Sequence, residues 1–103
     1  MRPPKYRNQP QETPDGRFAS KREYQHWCVL KLREKAGEIS SLKRQVPFDI
    51  KVNGVKICRY VADAVYVERN RVVVADAKGF ETPMFKIKSK LMKAVHDIDV
   101  TTC

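Results

Sequence analysis

Two aspartates and a lysine in the middle of the chain have residue types and spacing suited to the handling of a phosphate group. Asp63, Asp76 and Lys78 lie within residues 60–78, where apolar side chains alternate on both sides of residues 69–70. This pattern predicts a β-hairpin whose loop is those two residues. In that register Asp63 faces Asp76, and Lys78 projects from the same face as Asp76 because side chains alternate along a strand. The hairpin therefore presents two carboxylates and an ammonium group together.

Carboxylates that face each other across a strand pair need a compensating interaction. Directly opposed side chains on antiparallel strands have Cβ atoms about 4.5 to 5.5 Å apart, and like charges at that separation are destabilising. A shared cation removes the repulsion, and Mg²⁺ takes one or two carboxylates while completing its shell with water and phosphate oxygens. Without the cation, one carboxyl group of the pair is expected to have a raised pKa. The pair therefore predicts a Mg²⁺ site, in which Mn²⁺ can substitute.

The order of Asp63, twelve further residues and then Asp76-Ala77-Lys78 resembles the D-x(n)-(D/E)-x-K core of the PD-(D/E)xK nuclease superfamily. That superfamily includes type II restriction enzymes, archaeal Holliday-junction resolvases and a phage exonuclease. The order of motifs along the chain is also similar to a family of small phage and prophage proteins of unassigned function within it. The pattern of that family is close to F-x-S-K-x-E, G-x-I, L-x-x-Q-x-x-F, Y-x-A-D-F, D-x-K-G and a later K. The resemblance covers residues 18–98. Ala62 departs from the pattern, because the superfamily commonly has proline before the first aspartate.

The resemblance implies a role for each member of the hairpin group. Asp63, Asp76 and the Ala77 carbonyl would hold one or two Mg²⁺ ions against the scissile phosphate. Lys78 would orient or activate the attacking water and offset charge that develops in the transition state. The metal would stabilise charge on the phosphate and make its bound water more acidic.

Glu23 has two interpretations. With Ser20 it forms the S-x-x-E capping-box pattern that starts a helix, and Gly37 supplies the stop. By resemblance it also matches a glutamate on the first helix of many of these nucleases, which joins the metal site or binds its water. Gln45 matches a glutamine of the resembled phage proteins, and a hydrogen bond to the backbone at the start of a strand is its expected role.

The activity implied by the resemblance is phosphodiester hydrolysis by a metal-dependent DNA endonuclease. A small protomer covers little duplex, and dimeric resolvases of this fold cut two symmetric strands. The analogy therefore implies a homodimer that acts on branched or junction DNA in phage recombination or replication. Two other classes stay open, namely a non-catalytic nucleic-acid-binding module and a phage factor that binds another protein. The intact acidic residues and lysine count against the first of these.

Composition sets the broad class of the protein. The 103 residues include 21 Lys and Arg against 12 Asp and Glu, a net charge of +9 that favours a polyanionic partner. No apolar run of membrane-spanning length is present, and the polar, Pro-rich N-terminus lacks the features of a signal peptide, so a cytoplasmic protein is expected. The three cysteines and two histidines lack metal-ligand spacing, so neither a zinc site nor a disulfide framework is predicted.

The pattern along the chain predicts one domain with an α/β (α+β) fold. Residues 1–17 contain four prolines and show no periodicity, which predicts a flexible basic arm, and residues 18–103 form the domain. Asn53-Gly54 between apolar alternations predicts a tight hairpin between strands 46–52 and 55–60. The expected core is restriction-endonuclease-like, with a mixed sheet that has an antiparallel meander of at least three strands, flanked by an N-terminal and a C-terminal helix.

The C-terminal helix begins at Thr82 and Pro83, an N-cap followed by a first-turn proline. Apolar residues at spacings of three and four predict its buried face: Met84, Ile87, Leu91, Val95 and Ile98. A second stripe carries the lysines Lys86, Lys90 and Lys93. By resemblance Lys86 and Lys90 would assist the site. All three lysines are candidates for contact with nucleic acid, and the alternative is an exposed, solvated face.

Overall fold

The computed structural model describes residues 10–102, which form two helices, a four-stranded sheet and a separate two-stranded hairpin. The elements in chain order are β1 (Gln11–Thr13), β2 (Gly16–Phe18), α1 (Lys21–Lys35), β3 (Ser40–Val52), β4 (Val55–Glu68), β5 (Arg71–Asp76), α2 (Pro83–His96) and β6 (Val100–Thr102). Strands β3, β4 and β5 form an antiparallel meander, and β6 pairs with β5 in parallel. The fold is α+β, with a mixed sheet and flanking helices, which confirms the predicted fold class.

The two loops of the meander have the backbone conformation that the sequence predicts. Asn53 and Gly54 have φ angles of 52° and 80°, and residues 69 and 70 have φ angles of 53° and 63°. Positive φ at both central residues is the condition for a type I′ turn, whose twist matches that of the strands it joins. Glu68 lies opposite Arg71, so the predicted register of β4 against β5 is confirmed.

Strand β3 begins at Ser40 and continues without a break into the predicted strand 46–52. The pairing with β4 shifts between Ser40 and Lys43, and Gln45 has a φ of 56°. Both irregularities interrupt the alternation of side chains on which a strand prediction depends. The first half of β3 therefore has no clear pattern in the sequence.

Each face of the sheet carries its own apolar cluster. The cluster under α2 contains Ile50, Tyr60, Ala62, Val74, Phe85 and Met92. The cluster under α1 contains Leu30, Ile39, Ala64, Tyr66 and Ala75. Because Val74 and Ala75 are neighbours in β5 and belong to different clusters, the two helices pack on opposite faces. Each fully buried large apolar side chain contributes about 1.5 to 3 kcal/mol, so this two-sided core holds both helices against the strands.

The buried face of α2 differs from the prediction. Phe85 and Met92 are the buried residues of this helix, whereas Met84 and Ile87 are 59% and 54% exposed. Leu91, Val95 and Ile98, also predicted to be buried, are partly buried against the same cluster. Apolar residues occur on both sides of this helix, and the prediction from their spacing was wrong about which side is buried in the first two turns.

Neither α1 nor α2, the helices of residues 10–102, is long and apolar enough to cross a membrane.

The N-terminal segment is structured from Gln11 onwards, in contrast to the predicted arm of residues 1–17. Strands β1 and β2 form a hairpin whose turn is closed by the Thr13 hydroxyl, which donates to the Gly16 carbonyl at 2.7 Å. Gly16 has a φ of 111°, which glycine tolerates without strain. Phe18 is 1% exposed beneath α1. Strands of three residues are too short to show periodicity, and residues 1–9 of the predicted arm lie outside the described part of the chain.

Candidate active site

Asp63 lies at a break in the regular pairing of β4. The pairing with β3 passes from Ala62 directly to Ala64, and the pairing with β5 stops at Ala64. Ala62 belongs to the cluster under α2 and Ala64 to the cluster under α1, although residues two apart in a regular strand point to the same face. The strand therefore twists at Asp63, and the regular alternation of side chains between the two faces of the sheet is interrupted at this residue.

Asp63 and Asp76 are joined by reciprocal hydrogen bonds between carboxylates and backbone. The Asp63 N–H donates to Asp76 Oδ1 at 2.9 Å, and the Ala77 N–H donates to Asp63 Oδ2 at 3.0 Å. The structure thus brings the two aspartates together as the hairpin register requires. Each carboxylate takes the place of a carbonyl oxygen in the ladder, so backbone donors offset part of the charge repulsion.

Asp76 is sealed behind Asp63. It is 1% exposed, and its Oδ2 accepts a hydrogen bond from the buried hydroxyl of Tyr60. Burial raises the pKa of the Asp76 carboxyl group, while the Asp63 N–H and the positive charge of Lys78 lower it. Asp76 is therefore buried behind Asp63, and Asp63 is the aspartate of the pair that reaches the surface of the site.

A cleft of about 910 Å³ opens beside Asp63, between the start of α1, the middle of β3 and the segment between β5 and α2. Its lining residues are Arg17, Ala19, Ser20, Arg22, Glu23, Arg44, Gln45, Asp63, Ala77, Lys78, Gly79, Phe80 and Thr82. Four cationic side chains and two carboxylates are among them. Four of the five residues that the sequence assigns to the site line this cleft, and the fifth, Asp76, lies directly behind it.

Glu23 points its carboxylate into the cleft while its backbone caps α1. The Glu23 N–H donates to the Ser20 hydroxyl at 3.1 Å, which satisfies one of the free donors at the helix N-terminus. Burial and the negative charge of Asp63 raise the pKa of Glu23, while the Arg44 charge, a backbone hydrogen bond from Ala19 and the Lys78 charge lower it. The capping interpretation is confirmed, and the Glu23 carboxylate lies in the same cleft as Asp63, where its role at a metal site stays a prediction.

Gln45 connects β3 to Glu23. Its amide Nε2 donates to Glu23 Oε1 at 3.2 Å, and its φ of 56° is unusual for a residue other than glycine or asparagine. The expected backbone hydrogen bond at a strand start is replaced by this contact with a site residue. Gln45 sits at the position opposite Asp63, between the pairs that Arg44 and Val46 make with β4. Strained backbone of this kind is frequent at functional sites.

Arg44 is a cation at the edge of the cleft that no sequence motif indicated. Its guanidinium lies 3.6 Å from the centroid of the Phe18 ring and donates to the Arg17 carbonyl. Its Nη2 is 3.9 Å from Glu23 Oε1, and its Nε is buried without a hydrogen-bond partner. The N-terminal hairpin thereby fixes the position of a positive charge beside Glu23.

A profile of the DUF1064 family, described as a protein of unknown function, matches residues 4–102. The chain belongs to the DUF1064 family. A search of curated proteins gave no match, and a search of solved structures gave none either. The match covers both helices and every strand described above, including the N-terminal hairpin.

In this DUF1064 chain the lysines of α2 are not part of the cleft. Lys86 and Lys90 are exposed and are absent from its lining. Lys93 is paired with Asp97 at 3.0 Å and with Asp99 at 3.3 Å. The positive charge of the cleft comes instead from Lys78 and three arginines, Arg17, Arg22 and Arg44. Lys78 lies with its Nζ 4.9 Å from the centroid of the Phe85 ring.

The donors in the DUF1064 cleft suit a hard cation in part. Within residues 10–102 no group of three or more His, Cys, Asp or Glu side chains is placed to hold a metal ion. Glu23 and Asp63 nevertheless face the same cleft, and Mg²⁺ requires only one or two carboxylates when water and phosphate complete its shell. Asp76 is 1% exposed and already accepts hydrogen bonds from the Tyr60 hydroxyl and the Asp63 N–H, so a metal ion there would share its carboxylate with these donors.

His26, one turn after Glu23 in α1, is a neighbour of the site that the sequence did not single out. It is half-buried, and burial lowers the pKa of its imidazole while the Asp63 charge raises it. The helical spacing of three from Glu23 was the available signal, because residues three apart share a face.

Proposed function

We propose that this DUF1064 protein is a metal-dependent DNA endonuclease of the PD-(D/E)xK type, which hydrolyses phosphodiester bonds. The observation that carries the proposal is the cleft in which Glu23 and Asp63 face Lys78 and three arginines. A carboxyl group whose pKa is raised by burial and by a neighbouring carboxylate, beside cationic side chains, is typical of functional sites, and Glu23 next to Asp63 is such a group. The α+β fold with a meander and flanking helices agrees with a restriction-endonuclease-like core.

Glu23 and Asp63 would hold Mg²⁺ or Mn²⁺, and the Ala77 carbonyl is a further oxygen donor at the same edge of the cleft. A bound metal supplies a Lewis acid for the phosphate and a more acidic water. Lys78 orients the attacking water and stabilises negative charge in the transition state from a position fixed against Phe85. Asp76 positions Asp63 by accepting a hydrogen bond from the Asp63 N–H, and its carboxylate, which also accepts from the Tyr60 hydroxyl, would be a further ligand of the metal.

The arginines bind DNA through its phosphates. Arg17, Arg22 and Arg44 outnumber the two carboxylates of the cleft, and the whole chain carries a net charge of +9. A polyanion is attracted to such a surface, and the affinity falls steeply as salt rises. Branched or junction DNA in the cytoplasm, cut by a homodimer, is the substrate and assembly that we favour.

Cleavage assays test the proposal directly. Purified protein is incubated with labelled four-way junction, flap, duplex and single-stranded DNA, in Mg²⁺, Mn²⁺ or EDTA. Asp63→Asn keeps the size of the side chain and removes its charge, and it is expected to lower the cleavage rate by at least about 100-fold. Asp99→Asn is the matched control, because Asp99 is 83% exposed and makes only a surface ion pair with Lys93, and its rate should stay within about twofold.

A second function, a non-catalytic nucleic-acid-binding module, is favoured by one specific observation. The Asp76 carboxylate is 1% exposed and accepts hydrogen bonds from the Tyr60 hydroxyl and the Asp63 N–H, so protein donors already take up part of its capacity to bind a metal. Tight, salt-sensitive DNA binding without cleavage in any metal would overturn the nuclease proposal and support the module. Cleavage that survives Asp63→Asn unchanged would also overturn it, because the reaction would then take place elsewhere.

A further inference from the structure

Phe80 places an exposed aromatic ring at the rim of the candidate cleft. It lines the cleft and is 52% exposed. Every other aromatic residue within positions 10–102 is buried or half-buried, and the lining contains no second aromatic side chain. The ring belongs to residues 77–82, which join β5 to α2 without forming a strand or a helix. Phe80 is therefore not part of the apolar core, and its ring lies at the surface of the cleft.

Two cationic residues of the cleft lie close to Phe80, one along the chain and one on α1. Lys78 precedes it by two residues and lines the cleft. The Arg22 side chain crosses from α1 to the same segment, since its Cδ would lie 3.8 Å from a Cβ built on Gly79. A phosphate bound by these side chains would have its attached nucleoside in the part of the cleft that Phe80 lines. The ring is thus placed to contact the base of a nucleotide whose phosphate occupies the cleft.

The contact requires a base that is free of its neighbours. In a duplex the flat faces of the bases are covered by the adjacent pairs, so an aromatic side chain reaches them only after unstacking. Proteins that bind single strands combine a positively charged groove with aromatic rings on which successive bases stack. The cleft has both features, with four cations and one exposed ring.

We propose that Phe80 stacks on an unpaired base beside the phosphate bound in the cleft. The inference rests on the proposed function for its DNA ligand, and it narrows the substrate to DNA with unpaired nucleotides at a flap, a single-stranded end or an open branch point. A fully paired duplex gains nothing from the ring.

Equilibrium binding in EDTA tests the stacking apart from catalysis. Fluorescein-labelled single-stranded, flap and duplex oligonucleotides of equal length are titrated with wild type, Phe80→Ala and Phe80→Trp. Stacking of one base is typically lost at a cost that corresponds to about 5- to 150-fold in affinity. We expect Phe80→Ala to weaken single-stranded and flap binding within that range, to change duplex binding by less than twofold, and Phe80→Trp to bind like wild type. Met84→Ala is the matched control, because Met84 is 59% exposed on α2 and lies outside the cleft lining.

A stacking probe adds an independent readout. 2-Aminopurine placed in the unpaired segment should lose fluorescence on binding to wild type and recover it with Phe80→Ala. Equal loss of affinity for duplex and single strands, or no loss for either, would overturn the inference. So would a change in oligomeric state shared by Phe80→Ala and Met84→Ala with DNA binding intact, because the ring would then belong to a protein interface.

The outcomes separate this inference from the proposed function. Selective loss of single-strand binding in Phe80→Ala, in a protein that cuts no DNA, supports stacking and overturns the nuclease. Metal-dependent cleavage with an unchanged substrate preference in Phe80→Ala leaves the nuclease standing and overturns stacking.

Discussion

The hydroxyl of Tyr60 should stabilise the fold through the buried charge of Asp76. Tyr60 is 4% exposed and Asp76 is 1% exposed, and the hydroxyl donates directly to the carboxylate. Tyr60→Phe removes the donor and leaves the ring in place, so little cavity forms. Hydrogen bonds to charged groups contribute about 1.5 to 3 kcal/mol, and we expect a loss of that size at pH 7. For a chain of this length that loss lowers Tm by about 7 to 15 °C.

The loss should shrink in acid. Burial raises the pKa of Asp76 above its ordinary 3.8, so the carboxyl group is ionised only at a higher pH in the folded protein than in the unfolded chain. Below the ordinary value both states are protonated, and the bond becomes one between neutral groups, with a contribution of about 0.5 to 1.5 kcal/mol. The cost of Tyr60→Phe is therefore largest above the folded pKa and falls by about 1 kcal/mol as pH drops below it.

Urea denaturation at pH 7 and at pH 3, followed by the fluorescence of the single tryptophan, measures both values. Tyr66→Phe is the control, because Tyr66 is 6% exposed on the same strand and its hydroxyl bonds to Arg33, which stays charged throughout. In the Asp76→Asn background, Tyr60→Phe should cost at least about 1 kcal/mol less than in wild type. A cost below about 0.5 kcal/mol at pH 7, or one that is the same at both pH values, would refute the reasoning.

Two further predictions concern the cleft. Glu23→Gln should raise the free energy of unfolding at pH 7 by about 0.5 to 2 kcal/mol, because it removes a buried charge next to Asp63. The gain should vanish below pH 4.5, the ordinary pKa of glutamate, where Glu23 is neutral in both the folded and the unfolded state. A variant less stable than wild type at pH 7 would contradict this prediction. Arg22→Ala should reduce the slope of log affinity against log salt for DNA by about 1, whereas Lys90→Ala, outside the cleft, should reduce it less. Fluorescence anisotropy over a series of KCl concentrations measures both slopes. A larger effect of Lys90→Ala would show that DNA binds to the lysines of α2 rather than to the cleft.

Much of the site follows from local sequence rules. The dipeptide loops fix the register of both hairpins, and register alone brings Asp63 next to Asp76. The capping pattern locates the start of α1, and with it the turn that carries Glu23. These rules depend on neighbouring residues, so a single sequence is enough to apply them.

The parts that the sequence did not reveal depend on contacts between distant segments. Arg44 enters the site only because Phe18 and the Arg17 carbonyl, some 26 residues earlier, fold over it. The burial of Asp76 depends on its contact with Tyr60. The exposed face of α2 depends on which of its two apolar sides packs against the sheet. No period in the sequence distinguishes these alternatives, since packing between elements decides them.

The reciprocal bonds between Asp63 and Asp76 have a consequence for observing the site. The amides of Asp63 and Ala77 donate to side-chain carboxylates rather than to ladder carbonyls. Whatever takes a carboxylate oxygen away, whether a proton, a metal ion or a substituted side chain, must change the proton signal and the solvent exchange of the amide bonded to it. The backbone amides of Asp63 and Ala77 thus report on the state of the acidic pair, and NMR can follow both of them in the intact protein.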